Sequence, residues 1–194
     1  MTDPHTLLAV CASLKPAPGR SEPSACRELL RHATGYLGRV VPGIGTLDLR
    51  EAALPGFEGL LPQEHPEPQV RATHTQVARA KGLILSVPAY WGGVGSTFKA
   101  FVEVMCGPAY ADGVRSPFEG KPVVSLLVGS DPLSAREGAS QLATILAAVG
   151  ARQVAPPVVV PDPAAPGAGE AAVQALIAAS AQLAQAVLTP GEPA

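Results

Sequence analysis

What most constrains this chain is the order in which two kinds of segment alternate. Five times, a short apolar run is followed by a stretch with helical spacing. The apolar runs cover residues 6–12, 44–49, 82–87, 122–128 and 154–160. The helical stretches cover 24–37, 69–81, 97–106, a segment from Ser134 to about Val149, and 168–188. Strands that are apolar throughout need cover on both faces, which helices above and below a parallel sheet provide. Right-handed crossovers then wind the helices onto both sides. The expected fold class is α/β, a doubly wound five-stranded parallel sheet in three layers. Residues 1–188 form one domain and 189–194 a mobile tail. Residues 161–169, rich in Pro, Gly and Ala, share the tail's composition.

Composition closes off several functions. Lys and Arg number 14 against 16 Asp and Glu, a net charge of −2 without the basic excess of a nucleic-acid binder. Cys11, Cys26 and Cys106 form no C-x-x-C and leave an odd count, which reads as reduced thiols in the cytoplasm. His5, His32, His65 and His74 never pair at i, i+3 or i, i+4, so no metal site is expected. The opening residues lack a secretory pattern. Residues 171–188 carry no charge, yet Gln174, Gln182 and Gln185 fall on one side of a helical wheel. Val173, Leu176, Ile177, Leu183 and Val187 fall on the other. That is an amphipathic surface helix, with no membrane span expected.

In open parallel sheets, ligands bind beyond the carboxyl ends of the strands, where the winding reverses. Five strands suit the flavodoxin-like order 2-1-3-4-5, and the reversal then lies between the first and third strands. Three loops meet there. The first, from Ser13 to Ser21, holds Ser13, Lys15, Arg20 and Ser21, with Ser24 just beyond at a helix start. Hydroxyls, cations and the orphan N–H groups of a helix N-terminus suit a phosphate. A plain capping turn would use the same serines. Neither G-x-G-x-x-G nor a closing Gly-Lys-Ser/Thr is present, so a monoester fits better than a pyrophosphate or triphosphate.

The second loop places Pro88, Tyr90 and Trp91, the only Trp, beside Gly92 and Gly93. Glycines admit a flat ligand close to the backbone, although an interface or a simple turn uses the same residues. The third loop carries Gly129, Ser130 and Asp131, followed by a capping box with Ser134 as N-cap and Glu137 three residues on. A phosphate cradle, an aromatic-and-glycine wall and a backbone ledge together describe a pocket for flavin mononucleotide (FMN).

These residues resemble the NAD(P)H-dependent FMN reductases, a flavodoxin-like family that includes sulfonate-utilisation flavin reductases, chromate reductases and azoreductases. The resemblance runs from about Thr6 to Pro161. It rests on Pro88-Ala89-Tyr90 with Phe98-Lys99 eight residues on, and on Phe118-Glu119-Gly120-Lys121-Pro122. Asp48 with Leu54-Pro55, and Gln141-Leu142 through Leu146 to Gly150-Ala151, add to it. The resemblance implies that Ser13, Lys15 and Ser21, with Arg20 and Ser24, hold the flavin phosphate. Pro88, Tyr90, Trp91, Gly92 and Gly93 would lie along the isoalloxazine, and Gly129 and Ser130 near its far edge. The chain departs from the family's pattern: Ala12-Ser13-Leu14-Lys15 stands for the usual Gly-Ser-x-Arg, with about three extra residues before Ser21, Trp91 stands for a common Asn, and Ser96 for a glycine. Lys cannot clamp phosphate bidentately, which favours an exchanging flavin.

The implied activity is hydride transfer from NADPH or NADH to FMN, and on to a flavin, quinone or similar small-molecule acceptor. No catalytic acid–base side chain is required, because the cofactor carries the chemistry. A flavin-dependent monooxygenase would be one recipient, and a homodimer or homotetramer the assembly. Phe98, Phe101, Val102 and Met105 form an apolar stripe that suits either a neighbouring copy or the chain's own sheet. His65 and His74 are expected to face solvent and Cys11 to be buried and inert. The alternatives are a non-catalytic flavin-binding electron carrier, which would be strongly acidic, and a flavin-less scaffold.

Overall fold

The computed structural model describes residues 6–16, 24–108 and 115–189. In chain order the elements are β1 (Leu7–Cys11), α1 (Ala25–Leu37), β2 (Ile44–Asp48), α2 (Leu49–Ala52), α3 (Pro68–Arg79), β3 (Gly82–Tyr90), β4 (Gly93–Val94), α4 (Ser96–Cys106), β5 (Pro122–Gly129), α5 (Pro132–Ala148), β6 (Arg152–Gln153), β7 (Val158–Val160) and α6 (Ala168–Leu188). β1 lies between β2 and β3, β3 pairs with β5, and β5 pairs with β6 and β7, all in parallel. β4 alone turns back antiparallel on the end of β3. The sheet thus has the flavodoxin-like order 2-1-3-4-5, once the β4 ribbon is set aside and β6 and β7 are taken as one broken edge strand.

Two apolar layers explain why the strands read as unbroken runs. Leu8 and Val10 of β1 point into a core shared with α3, α4 and α5. Leu7, Ala9 and Cys11 point into the opposite core, shared with α1 and α6. Side chains alternate between faces along a strand, so covering both faces requires every position to be apolar. At about 25 cal/mol per Å² of apolar surface removed from water, these two layers are the main source of stability. Gly138 of α5 shows how closely they pack: a Cβ there would stand 2.7 Å from the Cβ of Ala89.

The Phe118–Pro122 segment has a structural task. Lys121 Nζ donates to the carbonyls of Ala78 (2.8 Å) and Ala80 (2.5 Å), closing the C-terminal end of α3. Such carbonyls lack partners within the helix, and a cation there also complements the helix dipole. Burial pushes the Lys121 ammonium below its ordinary pKa.

Several local expectations change. β3 does not end at Pro88 but runs on to Tyr90, with Pro88 opposite Val128 of β5. β1 stops opposite Ser86, so no strand on that side requires an N–H from Pro88. The last strand divides into β6 and β7. The capping box at Ser134 is not formed: α5 starts at Pro132 and Asp131 is its N-cap, accepting from the Ser134 N–H at 2.9 Å. Proline at the first helical position fixes that start.

His65 and His74 do not face solvent; they are 3% and 9% exposed. Residues 54–67 fold back on the body, with Leu60 and Pro62 against Gly107 just after α4. His65 Nδ1 accepts from the Glu67 N–H at 3.2 Å, and burial pushes the His74 imidazole below its ordinary pKa. Phe98, Phe101, Val102 and Met105 are all buried in the chain's own core.

α6 is the one helix among the described residues long and apolar enough to cross a membrane. It lays Leu176, Ala179 and Leu183 into the core beside α1 and the sheet, and leaves Gln174, Gln182 and Gln185 exposed.

Candidate active site at the carboxyl rim of the sheet

The described parts of the three rim loops converge as the topology requires. β1 leads into Ala12, whose N–H donates to the Ser86 carbonyl at 2.9 Å. Ser13 follows, 1% exposed, with its Oγ accepting from the Lys15 N–H at 3.3 Å. Ser24, also 1% exposed, is the N-cap of α1, and its Oγ accepts from the Arg27 N–H at 3.3 Å. Each hydroxyl therefore spends a lone pair on the backbone and keeps its own proton to donate.

Arg27 organises this loop. Its Nε and Nη2 each lie 2.8 Å from Asp48 Oδ2. Nη1 donates to the carbonyls of Lys15 (2.8 Å) and Pro16 (3.2 Å), and Nη2 to that of Ser13 (3.2 Å). Arg50, in α2, donates to the carbonyl of Leu14. Four successive carbonyls, from Ser13 to Pro16, are thus held by two guanidinium groups. The negative ends of those peptide dipoles are satisfied by cations rather than left to face an anion. The Asp48 carboxylate beside Arg27 pushes the guanidinium pKa higher still. Asp48 in turn caps α2, with Oδ1 accepting from the Arg50 N–H at 3.0 Å. Sequence reasoning missed Arg27 and Arg50 and had Asp48 only as part of the resemblance. A signal existed, because a cation in the first turn of a helix opposes the dipole and needs a specific partner.

At the tip of β3 the chain reverses through Trp91 and Gly92, with φ of +54° and +77°, between the paired residues Tyr90 and Gly93. Two positive φ values in a two-residue hairpin match the primed turns that suit sheet twist. The Gly92 N–H donates to Ser134 Oγ at 3.1 Å, and Ser134 Oγ donates to Asp131 Oδ2 at 2.6 Å. On the other side, Gln141 Oε1 accepts from the Val94 N–H at 3.2 Å and its Nε2 donates to the Gly92 carbonyl at 3.4 Å. A Cβ on Gly93 would stand 2.7 Å from that Oε1, so only glycine leaves the clamp intact. The hydroxyl of Ser134, then its N–H, then the hydroxyl of Ser130 hold the Asp131 carboxyl below its ordinary pKa.

A cavity of about 250 Å³ opens between these loops. Of the predicted residues, Ser13, Lys15, Ser24, Pro88, Tyr90, Gly129 and Ser130 line it together. Trp91, Gly92 and Gly93 stand outside its lining, on the hairpin next to Tyr90. Arg20 and Ser21 lie outside the described residues. Cys26 and Asp162 also reach the wall. Asp162 directs Oδ1 to the Ala164 N–H at 2.9 Å. Burial pushes the Cys26 thiol up to about 12 and raises the Cys11 thiol and the Tyr90 phenol. All three are neutral at pH 7, so none sets a negative charge against an anionic ligand. Among the described residues no three of His, Cys, Asp and Glu gather to hold a metal. The donors that do gather are hydroxyls, an ammonium and a helix N-terminus, which fit the phosphate of FMN.

Comparison with known proteins agrees with the fold. An oxidoreductase from Corynebacterium diphtheriae superposes with a TM-score of 0.70 at 16% identity, covering 95% of this chain and 98% of that one. The NAD(P)H:quinone oxidoreductase of Methanothermobacter marburgensis gives 0.68 at 17%, covering 92% and 96%. FerB, an NAD(P)H:(acceptor) oxidoreductase from Paracoccus denitrificans, gives 0.68 at 16%, covering 94% and 97%. None of the curated proteins matches the chain. The family model described as NADPH-dependent FMN reductase matches residues 6–165, which include all three rim loops. On that match, the chain belongs to the NADPH-dependent FMN reductase family.

Proposed function

We propose that the rim cavity is where this enzyme binds FMN, with the phosphate against Ser13, Lys15 and Ser24 and the ring along Pro88, Tyr90, Gly129 and Ser130. Arg20 and Ser21 are assigned to the phosphate from their place in the same loop, and Gly92 and Gly93 to the ring wall. The observation that carries this reading is the convergence of two buried hydroxyls, Lys15 and the start of α1 on one small cavity. When bound, FMN supplies the redox chemistry, accepting hydride from NAD(P)H and passing electrons to a second substrate.

The chain's own residues bind and orient. Ser13 and Ser24 donate to the phosphate while the backbone holds their oxygens. Arg27 and Arg50 keep the loop carbonyls engaged. Tyr90 stays protonated and keeps an O–H to donate. The Gln141 and Ser134 clamps fix the hairpin, so the ring wall is preorganised before anything binds.

The acceptor is a free flavin, a quinone or a similar small molecule, and a flavin-dependent monooxygenase is one route for reduced flavin. The assembly is a homodimer or homotetramer. Supporting it is a groove of about 690 Å³ between α4 and α5, with the Lys99–Glu103 ion pair on its wall. The compartment is the cytoplasm, in keeping with free, buried Cys11, Cys26 and Cys106.

The test is a flavin titration of the purified protein, followed by NAD(P)H oxidation with and without added FMN. The combined Ser13→Ala and Ser24→Ala variant should bind FMN about a hundredfold or more weakly, because two charge-assisted hydrogen bonds of about 1.5–3 kcal/mol each are lost. Unchanged affinity refutes the phosphate assignment. Flavin binding without NAD(P)H turnover indicates a carrier, and neither indicates a scaffold.

A further inference from the structure

Among the described residues, each of the three rim loops leaves one large apolar side chain in solvent: Leu14 at 54%, Trp91 at 100% and Leu133 at 56% exposure. Leu133 directly precedes Ser134, the residue that holds Gly92, so it stands beside the Trp91 hairpin. Trp91 combines two unfavourable features. Its indole gains nothing from burial, and its backbone occupies the left-handed region that L-residues avoid. Asn or Gly is the favoured residue at that position of such a turn. The hairpin is nonetheless fixed from both sides, by Ser134 and by Gln141. Strain held in place at a site is a pointer to function.

Resting on the reading of the rim as the site of electron transfer, we infer that Trp91 is the docking platform for the oxidised second substrate, a flat, uncharged, electron-poor ring of the quinone class. An indole face is electron-rich and stacks most favourably on an electron-poor ring. Leu133, next to the residue that holds Gly92, adds apolar surface beside the indole, which suits an uncharged ring and offers nothing to a hydrated metal ion or an oxyanion. The backbone that carries the indole is pinned from both sides, so binding does not have to order the hairpin. Ser13, Lys15 and Ser24 line the cavity together with Tyr90, whereas Trp91 stands outside that lining. Trp91 is therefore placed to select the partner that enters and leaves rather than the coenzyme that stays.

The chain has one tryptophan, so its fluorescence reports Trp91 alone. Menadione is titrated into the protein before and after FMN saturation, with N-acetyltryptophanamide as the collisional control. Saturable quenching beyond that control is expected. In steady state, Trp91→Ala should raise the KM for menadione about tenfold, equivalent to about 1.4 kcal/mol, with most of the loss restored in Trp91→Phe. The effects on FMN affinity and on the KM for NADPH should be smaller. Quenching no greater than the control overturns the inference, as does a menadione KM in Trp91→Ala within about twofold of the parent, well under that 1.4 kcal/mol. So does a loss that falls mainly on FMN or NADPH. Flavin fluorescence separates the two claims. If FMN does not bind, the reading of the rim fails, while menadione quenching of the flavin-free protein still decides the role of Trp91.

Discussion

Asp131 accepts from the Ser134 and Ser130 hydroxyls and from the Ser134 N–H, and these bonds favour its charged form. Its folded pKa lies below the unfolded one. The stabilisation it gives is therefore complete above the unfolded carboxylate range and is lost as pH falls through the lower, folded value. Asp131→Asn keeps the shape and removes the charge. Melting temperatures of parent and variant should differ at neutral pH and converge below roughly pH 4. A gap independent of pH would show that the charge contributes nothing. This residue was only half legible in the sequence. Ser134 with Glu137 fits a capping box, but Pro132 fixes the helix start and moves the cap to Asp131. The histidines were misread for a different reason. For His65, residues 54–67 have no period from which burial can be inferred, and only the fold shows them packed against the end of α4. His74 lies on the buried face of α3 with Val70, Thr73 and Val77, where the helical spacing already pointed inward.

At the scale of elements, the join between β1, α1 and β2 depends on one guanidinium. Arg27 reaches Asp48 at the end of β2 and three carbonyls of the loop after β1. A lysine carries the charge but lacks the planar fork, so it cannot span these partners at once. Arg27→Lys should weaken FMN binding by about tenfold or more, as the loop loses its fixed shape. Flavin titration at constant ionic strength checks this, and an affinity matching the parent's would remove Arg27 from the site. The strands themselves were easy to read, because two-sided burial writes a continuous apolar run. Pro88 suggested an end to β3 because proline lacks an N–H, but β1 has already stopped at that level and nothing there needs one.

For the whole molecule, a ligand that binds only the folded chain must stabilise it. FMN at about a hundred times its Kd should contribute about 2.7 kcal/mol. For a domain of this size that is roughly a 5–10 °C rise in melting temperature. Riboflavin at the same concentration should raise it less, because it lacks the phosphate that Ser13, Lys15 and Ser24 are proposed to hold. Equal shifts for the two would count against that cradle. The doubly wound architecture was legible because crossover handedness leaves few windings open, whereas the strand order itself was not written in the sequence. Nor was the position of Trp91 outside the cavity wall, since spacing places a residue on a loop without saying which way the loop turns.

The broken far border of the sheet has a consequence for life at high concentration. Between the pairs Val123–Gln153 and Leu126–Val158, four residues on the border face two on β5, and Pro156 and Pro157 are among those four. Pro161 follows the Val158–Val160 triplet directly. An uninterrupted border of valines would be a template on which other chains stack into fibres, and imino residues, lacking a donor, stop that growth. The irregularity that splits the last strand thus works as a guard against self-templated aggregation.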